Sequence, residues 1–566
     1  MLINLTSVRM KQYLGGNAMQ HMKKLLLLPM LVMALFLAAC GSDDEASTDK
    51  ATKKSGTVEN LTIGLTSDVG PLNIYTGNLD WLTDMVYDKL FSPSPYVDEP
   101  IPWLAESATQ VDDDTWQVVI RDGIKWHDGE DFTAEDVKFT YEYFRDGPQN
   151  RHTHHVSEVP QIDEINIEED GKTITFECGY ACPSLDTVTF ADLPILPEHI
   201  WSNVENPRKY TDLAIGTGPY KLTEYVADQH YVLEANEDYF MGAPTVDKLT
   251  LPIIGDATAM FNALKSGQID ISSRTVPAEL VDTFKEDNKF KLAEATNLSI
   301  VQLNLNYTIA PFNDGEFREA ISLGIDRQAI VDTILLGQAT AGETGYPHPD
   351  SPWTNPELST PSDSAAANAK LDELGYKDTN GDGFRETPEG EAFDLTIKVS
   401  SGEPIYVRAA ELMAEQFSTN VGIKMDVESM DATTFTAISS EKDYEMTISL
   451  IGPHGVADPD QFIMSQVSGY LWDKTIPYPE LDALIADWKA ANSIEQRKEI
   501  SFDMQALYNS QPTSVALYYP EEVYAYNSEV YDNYVESLGY GIINKFSFLP
   551  EETKQAVSAI EPVIVD

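Results

Sequence analysis

Hydrophobic period constrains this chain more than any other feature. From Leu61 onward, runs rich in β-branched residues alternate with stretches of helical period. Leu61–Ser67 and Thr115–Asp122 read as strands, Trp81–Phe91 and Ala134–Phe144 as helices, the second of these capped by Thr133. The mixture recurs through Thr173–Cys178, Ala259–Gly267, Phe317–Ile325, Tyr406–Phe417 and Glu480–Ala491. No heptad pattern and no internal repeat interrupts it, so the fold class is α/β. The chain is long enough for about two to four domain-sized units with buried cores.

The first forty residues read as an address. Lys23 and Lys24 precede Leu25–Ala39, a run without charge and apolar except for Pro29, which ends in Leu37-Ala38-Ala39-Cys40-Gly41. A membrane span needs about 20 residues, so this run reads as a signal-peptide core. Small residues followed by Cys resemble a bacterial lipobox, whose cleavage would leave Cys40 as a lipid-bearing N-terminus. The expectation is a signal peptide at 22–39, with Met22 as its start, then a polar tether at 40–57. The body would then sit at the outer face of the cytoplasmic membrane or in the periplasm, anchored to the membrane through lipid on Cys40.

Charge and cysteine content narrow the function. With 92 acidic against 38 basic residues and a formal net charge of −54, the surface repels nucleic acid, whose binding needs clustered Lys and Arg. Beyond Cys40 only Cys178 and Cys182 remain. Outside the cytoplasm so close a pair can oxidise to a disulfide, and the spacing is not that of a zinc or C-x-x-C redox site.

Four stretches carry a resemblance. They are Gly123–Glu130 running into Phe132–Thr140, then Gly216-Thr-Gly-Pro-Tyr220, then Asn236–Pro244 leading to Ala263–Asp270, and finally Phe317–Asp326. In this order they resemble the signatures of family 5 solute-binding proteins, the peptide- and nickel-binding family of ABC importers. The resemblance implies two lobes that close on a ligand about a hinge, with an extra subdomain inserted in the first lobe. By analogy the first lobe takes 58–93, 210–298 and 515–566, the inserted subdomain 94–209, and the second lobe 299–514. It also implies a monomeric binding lipoprotein that hands an unaltered ligand to ABC permease and ATPase subunits. Oligopeptide leads as ligand, ahead of oligosaccharide and a nickel chelate, and no cofactor is required. The rival class is an extracytoplasmic hydrolase, but no G-x-S-x-G elbow, HExxH pair or Walker A loop occurs.

The same blocks have readings of their own. Gly129 permits a tight turn, and His127 reads as a packed structural histidine. Gly216–Pro219 and Thr296-Asn297 read as places where the chain crosses between lobes.

Ligand contacts are sought mainly in the second lobe. Peptide-binding relatives carry an acid a few positions before an Asp-Pro step, and here that place, three residues before Asp458, holds Gly455. A buried ammonium needs a counter-charge, so either Asp458 or Asp460 substitutes, or the ligand is not a free-amine peptide; Asp458 reads equally as a turn residue before Pro459. Tyr75, Tyr307, Trp103, Trp472 and Trp488 are stacking candidates, although most aromatics belong to cores. Arg408 suits a carboxylate, His454 a metal chelate, and His152, His154 and His155 read as an exposed loop cluster. Separately, Asp378, Asn380, Asp382, Phe384 and Glu389 match the ligand positions of a calcium loop, in a structural role. Arg385 stands where such loops place an apolar anchor.

Overall fold

The computed structural model describes residues 57–75, 80–97, 99–147, 156, 161–296, 298–343, 347–452 and 479–559. Cys40 and the expected signal peptide, together with His152, His154, His155, His454, Asp458, Asp460 and Trp472, lie outside the described residues.

Two mixed sheets organise the body. In the first, strands run in the order Phe290–Ala295, Glu522–Asn527, Ile271–Ser272, Leu61–Gly64, Lys248–Pro252, His230–Ala235, Tyr220–Val226. Leu61–Gly64 is parallel to both of its neighbours, which fits its wholly apolar inner positions: Leu61 and Ile63 are fully buried. The second sheet runs Ala339–Ala341, Ser514–Pro520, Ile300–Leu305, Met446–Ile451, Asp394–Ser400, Lys424–Met430. Its parallel pair 394–400 and 424–430 is connected by the helix Pro404–Gln416, the crossover a parallel pair requires. A third, antiparallel sheet of Ala105–Asp112, Thr115–Ile120, Thr173–Cys178 and Ile162–Ile167 forms the inserted subdomain.

The cores follow the same division. One apolar cluster runs without a break from the first sheet (Leu61, Leu249) into the inserted subdomain (Trp116, Phe176, Phe190), so these two parts form one body. A second cluster, with Leu303, Phe317, Ile397 and Met413, belongs to the second lobe. A smaller one, around Ile300, Trp488, Met504 and Tyr519, seats the helices Pro479–Ala490 and Ile494–Ser510 beside the strands that join the lobes.

Two local outcomes differ from the pattern-based expectations, and one cap is as expected. The Trp81–Phe91 helix ends at Val86, because Asp88 turns inward: its carboxylate, fully buried, accepts from Trp103 Nε1 (2.8 Å), Tyr239 OH (3.0 Å), Thr217 Oγ1 (3.1 Å) and Lys545 Nζ (3.3 Å). Helix Ala134–Asp146 keeps its expected N-cap, Thr133, in a reciprocal capping box: Asp136 Oδ2 accepts the N–H (2.9 Å) and the hydroxyl (3.1 Å) of Thr133. Finally, Ser514–Pro520 hydrogen-bonds within the second sheet, which moves the return crossing from 515 to 520–522.

Candidate ligand cleft and its hinge

Two strands pass from one lobe to the other, and they are partners of each other on both sides. Phe290–Ala295 pairs antiparallel with Glu522–Asn527 in the first sheet, from Phe290↔Asn527 to Ala295↔Glu522. Directly beyond, Ile300–Leu305 pairs antiparallel with Ser514–Pro520 in the second, from Val301↔Tyr518 to Asn304↔Ser514. The hinge is therefore a two-stranded ribbon whose ladder is interrupted between these registers and shifts register once more between Val301 and Gln302. Leu298, in that break, is buried with φ +58°, a left-handed conformation costing a non-glycine residue roughly 1–2 kcal/mol. Thr296 is held from the first lobe: its N–H donates to Glu536 Oε1 (3.1 Å) and its carbonyl accepts from Gly539 N–H (2.9 Å). On the return strand, burial raises the pKa of Glu522, which accepts from Tyr524 OH at 2.7 Å.

Three of the four signature stretches meet at a second joint, where the inserted subdomain returns to the first sheet. His127 Nε2–H donates to Gly218 O (2.9 Å), and its Nδ1 accepts from Gly216 N–H (3.3 Å), which sets the neutral tautomer. Asn236 Nδ2 donates to the same Gly218 carbonyl (3.2 Å). A Cβ on Gly216 would lie 1.9 Å from Val86 O, so only glycine lets the two backbones approach this closely. The Gly216–Pro219 turn thus joins the subdomain to its own lobe, and the crossing between lobes falls at 296–299. Burial pushes the His127 imidazole down to about 4, and the residue is structural. In the fourth stretch Arg318 is buried and donates to the carbonyls of Pro512 (2.7 Å), Phe312 (2.7 Å) and Gln511 (3.3 Å), locking its helix onto the root of the return strand.

The proposed contact residues are scattered. Tyr75 is buried, its ring against Tyr143 and Trp201 in the first body. Tyr307 follows the hinge strand in the second lobe, with Lys442 Nζ 5.4 Å from its ring centre. Arg408 is exposed on the Pro404–Gln416 helix. Trp103 and Trp488 are fully buried, which places them in cores. The stretch holding His454, Asp458 and Trp472 begins just after Ile451, and Ile451 pairs with Ile300, the first residue of the hinge strand. The flank that precedes it therefore stands at the hinge.

The acidic loop is closed by its own donors. Asp378 accepts from the N–H groups of Gly381 (2.6 Å) and Gly383 (3.0 Å), and Asp382 from Phe384 N–H (2.9 Å). Carboxylate oxygens of Asp378, Asp382 and Glu386 lie within 4.8 Å of one another. Glu386, not Glu389, completes this cluster; it is buried and takes Thr379 N–H (2.7 Å) and Asn380 Nδ2 (2.5 Å). Arg385 anchors the loop by polar means, donating to Val421 O (2.7 Å), Asp372 Oδ1 (2.5 Å) and Asn368 Oδ1 (2.7 Å). Cys178 and Cys182 are joined in a disulfide with Cα atoms 6.5 Å apart.

The family model of bacterial extracellular solute-binding proteins, family 5, matches residues 99–473. The chain belongs to that family. Among family 5 relatives, the oligopeptide-binding protein AppA of Bacillus subtilis is 30% identical over 520 residues, covering 87% of this chain and 92% of AppA. A structure of AppA with a nonapeptide superposes with a TM-score of 0.72, covering 88% of this chain and 100% of that one at 24% identity. NikZ of Campylobacter jejuni in complex with Ni(L-His) gives 0.75 at 21% identity, with 85% and 96% covered. The ABC transporter substrate-binding protein CtaP of Listeria monocytogenes gives 0.72 at 22% identity, with 88% and 100% covered. These likenesses establish the two-lobed family 5 fold. Among the described residues no helix is long and apolar enough to cross a membrane.

Proposed function

We propose that this family 5 protein is the lipid-anchored, oligopeptide-capturing subunit of an ABC importer. The observation that carries the ligand class is 30% identity over nearly the whole body to a protein named for oligopeptide binding. Two lobes on a paired-strand hinge suit capture, since closure is favoured only by what the ligand touches on both sides. Cys40 carries the lipid and holds the monomer at the outer membrane face, from which it delivers to the permease and ATPase subunits. Asp458 supplies the counter-charge for a peptide amine, so Asp458→Ala weakens peptide binding. The protein returns its ligand chemically unchanged.

The test is a thermal-shift screen of the full chain against pooled di- to octapeptides, oligosaccharides and nickel–histidine, each with calcium and with chelator. Peptides at a hundredfold excess over Kd stabilise by roughly 2.7 kcal/mol, a clear rise in Tm. A rise with oligosaccharide or nickel–histidine alone reassigns the ligand, and no rise in ligand-free folded protein refutes the peptide reading. The calcium arm addresses the 378–389 loop: a calcium-dependent rise that disappears in Glu386→Gln assigns the cation to Asp378, Asp382 and Glu386. Cys40→Ser tests the anchor, and the expected result is protein released from the membrane fraction.

A further inference from the structure

Beside the hinge ribbon, the two bodies touch at a second place, and the contact is built around the disulfide. Within the inserted subdomain the Cys178–Cys182 loop is pinned on every side. Cys178 N–H donates to Asp114 O (2.8 Å), Gly179 N–H to Gln161 O (2.8 Å), Cys182 N–H to Asp113 O (2.9 Å), and Trp116 Nε1 to Cys182 O (2.9 Å). The crosslink and these bonds leave the loop little freedom, so it presents Tyr180, Ala181 and Ser184 as a fixed edge.

The second lobe grips that edge with the helices Pro479–Ala490 and Ile494–Ser510. Arg497 is 1% exposed, and its guanidinium leaves its own lobe: Nη2 donates to Ala181 O (2.6 Å) and Nη1 to Ser184 Oγ (2.8 Å). Its other face lies on the Trp488 ring, 3.9 Å from the ring centre, and that ring meets Tyr180 edge-on at 6.4 Å. Lys489 Nζ stands 5.3 Å over the Tyr180 ring, and Asn492 Nδ2 reaches Asp113 Oδ2 at 3.2 Å. A buried guanidinium is costly without acceptors, and here two of them, Ala181 O and Ser184 Oγ, come from the opposite body. Trp488 packs with Ile300 and Tyr519 of the hinge strands, so the contact sits against the element that must bend.

We propose that the crosslinked loop 178–184, gripped by Arg497 and Trp488, is a latch that sets the angle between the two bodies. A change of lobe angle has to extract Arg497 from the loop or carry the loop with it. The latch rests on the binding reading only for its consequence, which is control of ligand retention. It is tested without any ligand, so its failure and the failure of the peptide assignment are separate results.

The experiment is single-molecule energy transfer on the full chain, with dyes at Glu237 and Glu428 introduced through unnatural amino acids. Both sites are exposed and sit near the strands farthest from the hinge in their respective sheets. Arg497→Met keeps the buried stem and removes the hydrogen bonds; Cys178→Ser with Cys182→Ser removes the crosslink while leaving the grip. Wild type is expected to show one narrow distance, and each variant to add a second population and at least about double the width, with far-ultraviolet circular dichroism unchanged. A wild-type distribution in either variant overturns the proposal. If Arg497→Met does not fold, Tyr180→Ala with Asn492→Ala attacks the same contact from its rim, with the same outcomes.

Discussion

Replacing His127 by glutamine should remove one step from the acid sensitivity of this protein. The imidazole accepts Gly216 N–H on Nδ1 and donates to Gly218 O through Nε2, so protonation must break the first bond and place a charge in the joint. Burial has moved its pKa from 6.5 to about 4. Above pH 6.5 the group is neutral in both folded and unfolded chains and makes no difference to stability. Below that the unfolded chain takes up the proton first, so stability falls with falling pH until the folded pKa near 4 is passed. At ~1.4 kcal/mol per pH unit the full loss is ~3.5 kcal/mol, and the partly exposed ring edge trims it toward ~2–3 kcal/mol. Glutamine retains an amide that can donate to Gly218 O and does not titrate. The assay is urea unfolding of ligand-free wild type and His127→Gln at pH 7, 5.5 and 4.5, taking the difference between the two proteins at each pH. Other titrating groups act in both proteins and cancel, including Asp186, whose carboxyl burial raises to about 7. The variant is expected to gain on wild type by ~2 kcal/mol or more between pH 7 and 4.5. A pH-independent difference would refute the assignment of a neutral, buried His127.

Asp186 gives the opposite slope: its folded pKa is raised, so stability present below pH 3.8 is lost as pH rises toward 7, and Asp186→Asn should stabilise at pH 8 by up to ~4 kcal/mol and hardly at all at pH 4. Asp88→Asn takes from the buried Lys545 the carboxylate it is bonded to, leaving only the more weakly coupled Asp84, and should cost ~3 kcal/mol in urea unfolding. Gly216→Ala drives a methyl into Val86 O, with a loss of ~2–3 kcal/mol and a lower Tm. Arg318→Lys replaces a fork serving three carbonyls by a single point donor and should lower Tm, a change that calorimetry resolves.

How much of this was legible depended on range. Strands such as Leu61–Gly64 and Thr173–Cys178, and helices such as Ala134–Asp146 and Pro404–Gln416, announce themselves through local period. The return crossing did not, because Ser514–Pro520 is largely apolar and fits either lobe; its ladder with Ile300–Leu305 decides. Asp88 and Lys545 are 457 positions apart and Arg497 and Ala181 are 316 apart, separations at which no spacing rule operates. The signature stretches were the easiest to read, and three of them converge on the Gly216–Pro219 joint. Such motifs record how the lobes are assembled, which explains why they reveal the family sooner than the ligand. Arg408, Tyr75 and Tyr307 were named for their chemistry alone, and chemistry without a neighbour carries no position.

The hinge ribbon has a mechanical consequence. One connecting strand would behave as a swivel, free to twist as well as bend. Two strands laddered to each other on both sides of the break resist twist, because rotation about their long axis shears the hydrogen bonds at Ala295↔Glu522 and Val301↔Tyr518. What remains is a door on a piano hinge, swinging in one plane. For such a door the mouth always opens along the same line, and a ligand meets the two walls in the same alignment at every approach.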